Sequence, residues 1–565
     1  MKIALVQAPV WWTLDPPLGL AQMAGCLKAA GHEVTVFDMN IRLWSERRPQ
    51  YENMWLWEQF HFWNYEDVVE RFFKDNGESI GKQVEEILRT DAAVIGFSVG
   101  LGSQVASRRV AELIKKGDPK RVVVFGGQYY FKGEKAKEIV KGGAVDAVIL
   151  GAGDEVFPQL VKDVGVDGKV TVREGIVSRE GDGGPAPAIK NLDRLAYMDF
   201  SGFPLELYAD HNRIPFAASR GCVWSCHFCS ASTFWPGYSY MSGDRIFAEV
   251  RRHVGHRVRF QQCLIPQRCQ IEFYDIAANG NVAVLDRFSH LMAESLLCKT
   301  VTWKINAIVH PEMTRDRLDR WRSGGCREIV YGIESGSPRV LKMMNKRVDP
   351  KLAARVLRDT HEAGIGTAAN FMIGYPGETE EDFNDTLSFL RENHQWIQRA
   401  YCSATFTSLE EHSYLTGHQD EFGIKSQTGP GAHCFYWESS DGTNTYPVRL
   451  DRYRRFRELA ISLGTDADQG TRGSLEQELS RREGEFYRYK GEPLRAAESY
   501  LRYLKNDPLN DAVRRELAGC IEEIKGKSGS DTAETAERLR QIGEVLNEKE
   551  SIPVKAKNVR QRTAR

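Results

Sequence analysis

The chain has 565 residues, of which 42% are hydrophobic and 27% are charged, the ordinary balance of a folded globular protein. Lysine plus arginine (76) nearly cancels aspartate plus glutamate (77), so no global charge favours nucleic acid or an anionic membrane as a partner. The apolar residues 1–14 lack a small-residue cleavage site, which favours a buried strand over a signal peptide. No apolar run approaches the roughly 18 residues of a membrane span. We therefore expect a cytoplasmic protein with no membrane span and no nucleic-acid partner.

Residues 1–165 alternate short β-branched runs with amphipathic helical patterns, such as residues 104–116. This alternation is typical of a doubly wound, Rossmann-like parallel sheet. The predicted strands are residues 3–7, 33–37, 93–98, 122–125 and 144–150. Ligands of such sheets bind at the carboxyl ends of the strands. Four glycine-containing loops are predicted at that edge, at residues 16–19, 98–100, 126–128 and 151–153.

A second alternating pattern follows a segment with the composition of a linker. The linker is predicted at residues 166–205, with Gly181-Asp182-Gly183-Gly184-Pro185 in its middle. Residues 206–445 then carry six predicted strands, at 214–218, 271–274, 301–305, 328–331, 367–373 and 400–406. Helical patterns at 245–254, 352–363 and 380–391 lie between them. Six such units predict a partial (β/α)6 TIM-type barrel whose open side can admit a bulky substrate.

The C-terminal region, residues 446–550, has a wholly helical pattern, so the chain is predicted to be α/β with an all-α end. Residues 484–517 have spacings that resemble one tetratricopeptide unit of 34 residues. Such units need about three stacked copies to stand alone. Packing against the barrel is therefore favoured over a peptide-binding array, although a docking role stays open. The basic tail, residues 551–565, is predicted to be a solvated end.

Three of the eleven cysteines, Cys222, Cys226 and Cys229, fall within eight residues. Three thiolates from one loop can hold three irons of a four-iron four-sulfur cluster, whereas ferredoxin clusters use four cysteines. The open iron can chelate the amino and carboxylate groups of S-adenosylmethionine (SAM). One alternative is a zinc site that uses these thiols and His227, but zinc sites prefer paired C-x-x-C halves far apart in sequence. Another alternative is three unligated thiols.

The pattern Cys-x-x-x-Cys-x-Phe-Cys directly follows the first predicted barrel strand, and it resembles the radical SAM superfamily. The resemblance implies a cluster on the loop at the barrel mouth and SAM bound beside it. It also implies SAM contacts after the first, second, fourth and fifth strands. At the second strand the usual Gly-Gly-Glu of the family is absent. The implied SAM-binding residues are Phe228, Asp275, Glu334, Ser335 and Gly374.

Two of these segments also have structural interpretations. Ser337-Pro338 opens a predicted helix, so residues 332–336 could cap it, and this role is compatible with binding the SAM ribose. Residues 373–378 could form a turn before a helix capped by Thr379 instead of contacting adenine. Trp235, Tyr238 and Tyr375 could contact an apolar substrate or belong to the core.

A doubly wound sheet before a radical SAM barrel resembles the cobalamin-binding subclass, which includes methyltransferases, ring-forming enzymes and hopanoid- or porphyrin-modifying enzymes. The resemblance covers about residues 1–465. The chain lacks the Asp-x-His-x-x-Gly motif that ligates cobalt in many cobalamin proteins, as many members of this subclass do, so no protein ligand of cobalt is assigned. The alternative is a scaffold without cofactor. The implied cobalamin-binding residues are Ser98, Gly126, Gly127, Gln128, Gly151 and Gly153.

Together, the implied cluster, SAM and cobalamin predict an enzyme that methylates an unactivated carbon of a small-molecule or lipid-like substrate. Its electron donor is expected to be a protein such as flavodoxin or ferredoxin, and no catalytic side chain is assigned. The first alternative is oxidative cyclisation or rearrangement. Further alternatives are a non-enzymatic iron-sulfur sensor or scaffold and methylthio transfer to tRNA. The last would need more cluster cysteines than Cys263 and Cys269, which are predicted to be core thiols.

Overall fold

The computed structural model describes residues 1–48, 51, 54–55, 60, 63–130, 133–210, 212–260, 269–402, 407–425, 434–466, 472–507 and 510–527. The predictions for Cys263, residues 403–406 and the basic tail lie outside them. The chain forms two compact units. The first consists of Met1–Phe371, Ser388–Ala400 and Glu410–Gly417, and the second of Met372–Leu387, Tyr401–Leu409 and His418–Arg565.

The first unit begins with a sheet whose first five strands are parallel and run in the order β2-β1-β3-β4-β5. These strands are β1 Lys2–Gln7, β2 Glu33–Asp38, β3 Val94–Ser98, β4 Val122–Gly126 and β5 Ala147–Ile149. Their connecting helices are α1 Leu18–Ala29, α2 Met39–Ser45, α3 Glu66–Asp75, α4 Gly77–Arg89, α5 Gln104–Gly117, α6 Gly133–Lys141 and α7 Gly153–Asp167. The doubly wound prediction is confirmed. The strand order reverses between β1 and β3, where such sheets bind ligands.

The segment predicted as a linker contains two strands, β6 Ile176–Ser178 and β7 Gly181–Asp182. They continue the same sheet in antiparallel pairing, with Val148 opposite Val177 and Val177 opposite Asp182. Ile176 and Val177 are fully buried. The glycines that surround these short strands conceal them in the sequence.

Eight strands follow: β8 Arg213–Phe216, β9 Ser219–Gly221, β10 Tyr238–Tyr240, β11 Cys269–Phe273, β12 Val301–Ala307, β13 Cys326–Glu334, β14 Gly366–Phe371 and β15 Arg399–Cys402. Six of them form a second sheet in the order β8-β11-β12-β13-β14-β15. Strands β8 to β14 are parallel neighbours in chain order, as a barrel requires. The predicted partial barrel is confirmed. Strand β13 is nine residues long and extends beyond the predicted 328–331.

The helices of this half are α8 Ala231–Phe234, α9 Gly243–Phe260, α10 Val282–Glu294, α11 Arg315–Ser323, α12 Pro338–Met343, α13 Pro350–Glu362, α14 Glu380–Asn393 and α15 Tyr414–Gly417. Alternate side chains of β12 face them, and the Trp303 ring packs against Phe288 and Trp321. Lys304 lies on the opposite face of β12 and pairs with Glu272 and Glu328 on the neighbouring strands. The inner face of the barrel is therefore charged at this level.

The described part of the C-terminal region is helical, as predicted, with α16 Tyr446–Ser462, α17 Arg472–Tyr489, α18 Pro493–Leu504 and α19 Asp511–Lys527, and residues 528–550 lie outside the described ranges. Helices α17 and α18 approach closely, because a Cβ added to Gly484 would lie 2.4 Å from the Tyr500 ring. In the part of the chain that the structure describes, none of the helices is long and apolar enough to cross a membrane.

The segment that connects the two sheets of the first unit packs against α1 and α9. Gly25 of α1 lies so close to this segment that an added Cβ would stand 1.9 Å from the Tyr197 carbonyl oxygen. The guanidinium groups of Arg245 and Arg252 of α9 make cation–π contacts with the Tyr197 ring, at 4.1 and 5.1 Å from its centre. This segment therefore joins α1 to α9.

Two glycines of α1 predict opposite effects of the same substitution. Gly25→Ala should lower thermal stability by about 1–3 kcal/mol, because the methyl group collides with a backbone carbonyl. Gly19→Ala should raise it by about 0.5–1 kcal/mol, since nothing lies within 4 Å of the added Cβ. Thermal unfolding of both variants checks this. Equal changes for the two would contradict the close packing of α1 on Tyr197.

Candidate active site

The cysteine loop, residues 222–237, is closed at its base by a two-stranded ribbon. Strand β9 enters the loop, strand β10 leaves it, and Gly221 pairs with Tyr238. Gly221 has φ +81°, and a Cβ there would lie 1.9 Å from the Gly237 carbonyl oxygen. Glycine is therefore required at position 221. The ribbon holds all three cysteines in one compact loop.

The three thiols are half-buried, and backbone N–H groups reach two of them. Trp224 donates to the Cys222 sulfur at 3.4 Å, and Ala231 donates to the Cys229 sulfur at 3.5 Å. Such N–H···S bonds stabilise cluster thiolates. Burial raises the pKa of both Cys226 and Cys229 to about 11, so cluster binding must displace their protons. The residues present fit an iron-sulfur cluster.

His227 attaches the cysteine loop to its neighbours. Its Nδ1 lies 2.9 Å from the Met343 carbonyl oxygen, and its ring stacks on Tyr414 at 4.6 Å. Its backbone N–H donates to the Met344 carbonyl oxygen at 2.9 Å. These contacts favour the cluster over the zinc alternative.

Glu334 ends β13 in the left-handed backbone region, with φ +68°. This conformation is uncommon for a residue other than glycine and is often found at functional sites. Its Oε1 accepts a hydrogen bond from Lys346 Nζ at 2.9 Å, and both side chains are largely buried. Gly332 makes room for the pair, since a Cβ there would lie 2.6 Å from the Glu334 Oε1.

Lys346 also lies beside the cysteine loop, with its Nζ 5.6 Å from the centre of the Trp224 ring. Burial alone would lower the pKa of Lys346, but the charges of Glu334 and Cys226 raise it above its ordinary value. The ammonium group thus stays charged between the carboxylate and the thiols. Sequence analysis missed this residue, because a lysine twelve positions after Glu334 carries no motif of its own.

The turn after Glu334 also caps a helix. Ser337 is the N-cap of α12, and its hydroxyl accepts from the Val340 N–H at 3.4 Å. The Ser335 hydroxyl is buried and accepts from the Ser337 N–H at 3.1 Å. The helix opens at Ser337-Pro338 as predicted, but its cap is Ser337 rather than a residue of the 332–336 segment. SAM contacts by Ser335 and by the half-buried Phe228 stay predictions.

Asp275 follows β11 and accepts hydrogen bonds from residues that lie just before the cysteine loop. Its Oδ2 accepts from the Ala218 N–H at 3.1 Å, and its Oδ1 accepts from the Ser219 hydroxyl at 2.5 Å. Burial raises the pKa of this carboxyl group to about 6. Each oxygen accepts one hydrogen bond from the chain and keeps a further lone pair, and contact of Asp275 with the SAM amino group stays a prediction.

Gly374 lies in the second unit, where its backbone has φ +74°. Its N–H donates to Glu378 Oε2 at 2.8 Å, and its carbonyl oxygen accepts from Asn444 at 3.1 Å. Thr379 caps α14 as predicted, since its hydroxyl accepts from the Asp382 N–H at 3.2 Å. The loop is therefore a firmly held turn, and its contact with SAM stays a prediction.

The three aromatic residues near the predicted barrel mouth have structural contacts. Tyr375 is fully buried. The Arg220 guanidinium lies 4.9 Å from the centre of the Trp235 ring in a cation–π contact. The Tyr238 hydroxyl donates to the Ala277 carbonyl oxygen at 3.2 Å. Among the other cysteines, Cys269 is buried as predicted.

The predicted cobalamin-binding residues lie at the carboxyl ends of β3, β4 and β5. Ser98 and Gly126 are register partners, and Gln128 is exposed. Gly127 has φ +110°, and a Cβ there would lie 2.6 Å from the Val99 carbonyl oxygen, so the fold itself requires this glycine. At Gly126 an added Cβ would make only an ordinary contact with Ile149, at 3.7 Å.

The remaining two predicted glycines pack against protein. An added Cβ would lie 3.6 Å from Ala186 at Gly151 and 3.2 Å from the Met23 sulfur at Gly153. Of the six residues predicted to bind cobalamin, Gly126 is the glycine whose added Cβ would meet only an ordinary contact without a positive φ.

Apolar side chains are exposed at the same edge of the first sheet. Trp12 and Leu14, in the loop after β1, are 41% and 38% exposed, and Leu101, in the loop after β3, is 65% exposed. These loops flank the point where the strand order reverses. Apolar groups at such an edge can contact the face of a large ligand. The edge fits the face of a macrocyclic cofactor.

Two side-chain bridges join this edge to the barrel within the first unit. Arg220, two residues before Cys222, binds both carboxylate oxygens of Asp154 at 2.8 Å. Asp154 immediately follows Gly153. The Tyr274 hydroxyl, after β11, donates to Asp15 Oδ2 at 2.6 Å. The carboxyl ends of the two sheets therefore meet.

Residues 217–390 match the radical SAM superfamily. The central part of the chain is a radical SAM domain. The predicted family is thereby confirmed for the segment that contains the cysteine loop, Glu334 and Gly374.

Two curated relatives resemble the chain beyond the radical SAM domain. An uncharacterized methyltransferase of Pyrococcus horikoshii is 25% identical over 416 residues, which are 69% of this chain and 78% of the relative. An anaerobic magnesium-protoporphyrin IX monomethyl ester cyclase of Rubrivivax gelatinosus is 25% identical over 400 residues, which are 67% of this chain and 62% of the relative.

A solved structure shares the fold over almost the whole chain. OxsB, described as a cobalamin-dependent S-adenosylmethionine radical enzyme, covers 97% of this chain and 84% of its own, with a TM-score of 0.58 and 12% identity. The order of a Rossmann-like sheet, a partial barrel and a helical end is therefore shared with a protein of very different sequence.

The cluster of the radical SAM domain should depend on each cysteine of the loop. Cys226→Ala should reduce the iron content of anaerobically reconstituted protein from about four per chain and abolish SAM cleavage, because a cubane loses one of its three ligands. Cys298→Ala removes a half-buried thiol outside the loop and should change neither. Iron analysis and detection of 5'-deoxyadenosine check this. Stoichiometric zinc with uncleaved SAM would contradict the assignment.

Glu334 should contribute to SAM affinity through its charge. Glu334→Gln keeps the shape but loses a charge-assisted hydrogen bond of about 1.5–3 kcal/mol, so SAM should bind roughly 10- to 150-fold more weakly. Glu328→Gln is the matched control, since Glu328 is an ion-paired residue of the same strand. Calorimetry with the cluster intact checks this. Unchanged SAM affinity would leave Glu334 only as the partner of Lys346.

Proposed function

We propose that the protein is a cobalamin-dependent radical SAM methyltransferase that acts on an unactivated carbon of a small-molecule or lipid-like substrate. The observation that carries this proposal is the bidentate pair between Arg220 and Asp154. It joins the cysteine loop of the radical SAM domain to the glycine-rich edge of the Rossmann-like sheet. An enzyme that combines two cofactors in one reaction needs both sites at one place.

When bound, the cluster with SAM supplies a 5'-deoxyadenosyl radical, and methylcobalamin supplies a methyl group. In this proposal the chain's own residues bind and orient these groups. Cys222, Cys226 and Cys229 hold the cluster, and the Glu334 carboxylate accepts hydrogen bonds from the ribose hydroxyls of SAM. Lys346 keeps that carboxylate in place.

The edge of the first sheet would hold cobalamin. Gly126 presents no side chain at the end of β4, and Leu14 and Leu101 present apolar surface from the adjacent loops. Such side chains exclude water from the face of a bound macrocycle. OxsB, which shares the fold, has been solved with aqua-cobalamin and SAM bound, which supports this assignment.

Oxidative cyclisation or rearrangement is the second candidate, because the relative from Rubrivivax gelatinosus is named as a cyclase at the same identity as the methyltransferase relative. Both candidates use the same cysteine loop and the same Glu334. They differ only in whether a carbon is delivered to the substrate. In either case we expect a small-molecule substrate and a reductant such as flavodoxin or ferredoxin.

We expect cobalamin binding to be lost when Gly126 is replaced by a bulky residue, but not when a glycine elsewhere is replaced. Gly126→Leu should eliminate the corrinoid absorption band of the purified protein and its cobalt content, because a bulky side chain would project at the sheet edge where the corrin ring is proposed to lie. Gly81→Leu, in the same half of the chain with nothing near its Cβ, should retain both. Iron content should stay unchanged in both variants. Retention of corrinoid by Gly126→Leu would contradict the assigned site.

The reaction itself is tested with methyl-labelled SAM, a reductant and an extract of small molecules and lipids. A methyltransferase should form S-adenosylhomocysteine together with 5'-deoxyadenosine and place the label in a product. If corrinoid is bound and 5'-deoxyadenosine forms with substrate while no label reaches the product, methyl transfer is wrong and cyclisation or rearrangement replaces it.

A further inference from the structure

Helix α12 ends in a turn of defined geometry. Asn345, just after the helix, has φ +53°, and its N–H donates to the Lys342 carbonyl oxygen at 3.0 Å. The Lys346 N–H donates to the Leu341 carbonyl oxygen at 2.9 Å. These two bonds form a Schellman motif with asparagine in its left-handed position. The end of α12 and the start of the chain that follows therefore have one fixed conformation.

The same turn is attached to the cysteine loop. Asn345 Nδ2 donates to the Ser225 carbonyl oxygen at 2.8 Å. His227 contacts the carbonyl oxygens of Met343 and Met344 with its Nδ1 and its backbone N–H, each at 2.9 Å. Ser225 and His227 are the two neighbours of the middle cysteine of the loop. The surface at the end of α12 therefore lies beside the residues that hold the cluster.

This surface carries three basic residues, Arg339, Lys342 and Arg347, which we call the basic patch. All three are exposed. Arg339 and Lys342 are three residues apart and share one face of α12. Within the described part of the chain, neither Lys342 nor Arg347 forms an ion pair. A lysine in the last turn suits the helix dipole, but Arg347 lies beyond the helix, so the dipole does not account for the patch.

The cysteine loop itself is uncharged, and its two ends have neighbours of opposite charge. Val223 is 40% exposed, Ser225 is also exposed, and residues 222–237 include no lysine, arginine, aspartate or glutamate. At the other end of the loop, the Ser230 hydroxyl donates to Glu410 at 2.9 Å. The surroundings of the loop are therefore positive on the α12 side and negative on the other side.

The chemistry of a radical SAM domain requires an electron donor. Cleavage of SAM consumes one electron from the cluster, so the cluster has to be reduced again. Electron transfer between proteins is fast only over short distances, which requires the donor to approach the cysteine loop. Opposite charges on the two surfaces accelerate such an encounter by roughly 10- to 1000-fold at low salt. A donor of negative charge therefore fits the α12 side of the loop.

We propose that the basic patch is the docking surface of an acidic one-electron carrier protein that reduces the cluster. The carrier is oxidised by one electron, the cluster is reduced by one electron, and no atom is transferred. The inference rests on the proposed function, since it takes the cysteine loop to hold a reducible cluster. It applies to methyl transfer and to cyclisation alike. The turn at Asn345 keeps the patch in place beside the loop.

A charge reversal and a matched control test this in anaerobically reconstituted protein. The patch variant is Lys342→Glu with Arg347→Glu. The control is Lys116→Glu with Lys120→Glu, which changes the net charge equally at two exposed positions between α5 and β4, at the amino edge of the first sheet. The donors are reduced flavodoxin and reduced ferredoxin, both acidic carriers. Dithionite is the reference, because a small reductant needs no docking surface.

The KM for either carrier in 5'-deoxyadenosine formation should rise at least tenfold in the patch variant and less than twofold in the control. The rate with dithionite, the iron content and the dissociation constant of SAM should change less than twofold in both. Added salt should raise the KM of the wild type and lower that of the patch variant, because screening weakens attraction in the first and repulsion in the second.

A patch variant with the wild-type KM for both carriers would overturn the inference, as would wild-type protein that dithionite reduces but neither carrier does. If the double variant does not fold, Arg347→Gln decides, since it changes one exposed side chain. Its KM for the carriers should rise at least threefold, and an unchanged KM would overturn the inference. Wild-type protein without a cluster that dithionite can reduce would instead overturn the proposed function, and the inference with it.

Discussion

The bidentate pair between Arg220 and Asp154 is the interaction on which the arrangement of the first unit depends. Arg220 stands two residues before Cys222, and Asp154 opens α7 directly after Gly153. A fork-to-fork geometry fixes orientation as well as distance. The Asp154 side chain is almost completely buried, so loss of Arg220 would leave an uncompensated charge, which typically costs about 3–5 kcal/mol. The cysteine loop is therefore held against the carboxyl edge of the first sheet.

Two hydrogen bonds between tyrosine hydroxyls and carboxylates also connect the first sheet to later parts of the chain. The Tyr274 hydroxyl donates to Asp15, and the Tyr208 hydroxyl donates to Asp38, the last residue of β2. Burial raises the pKa of each acid to about 6. Each acid belongs to the first sheet or its loops, and each tyrosine belongs to a later part of the chain. Arg220 and Tyr274 thus join the first sheet to the barrel half of the chain, and Tyr208 joins it to the segment that precedes β8.

What the sequence could predict was local. Apolar periodicity was sufficient to locate the strands of both sheets. The cluster site could be predicted because Cys222, Cys226 and Cys229 lie within one loop. It could not predict β6 and β7, whose few residues become strands only through pairing with β5. Lys346 and the Arg220–Asp154 pair were missed because partners 12 and 66 residues apart leave no motif. Gly127 suggested a ligand, although the Val99 backbone is what excludes its side chain.

Buried charges occur where the loops of this fold must take one conformation. Irregular backbone at strand ends lacks the ladder of hydrogen bonds that fixes a sheet, so side chains must supply the missing constraints. A buried ion pair adds little stability compared with apolar packing, but it is specific in geometry. The pair of Glu334 with Lys346 and that of Glu378 with Arg452 each adjoin a predicted SAM-binding turn. Each of these pairs thus fixes one turn in a single conformation, which apolar packing alone would not do.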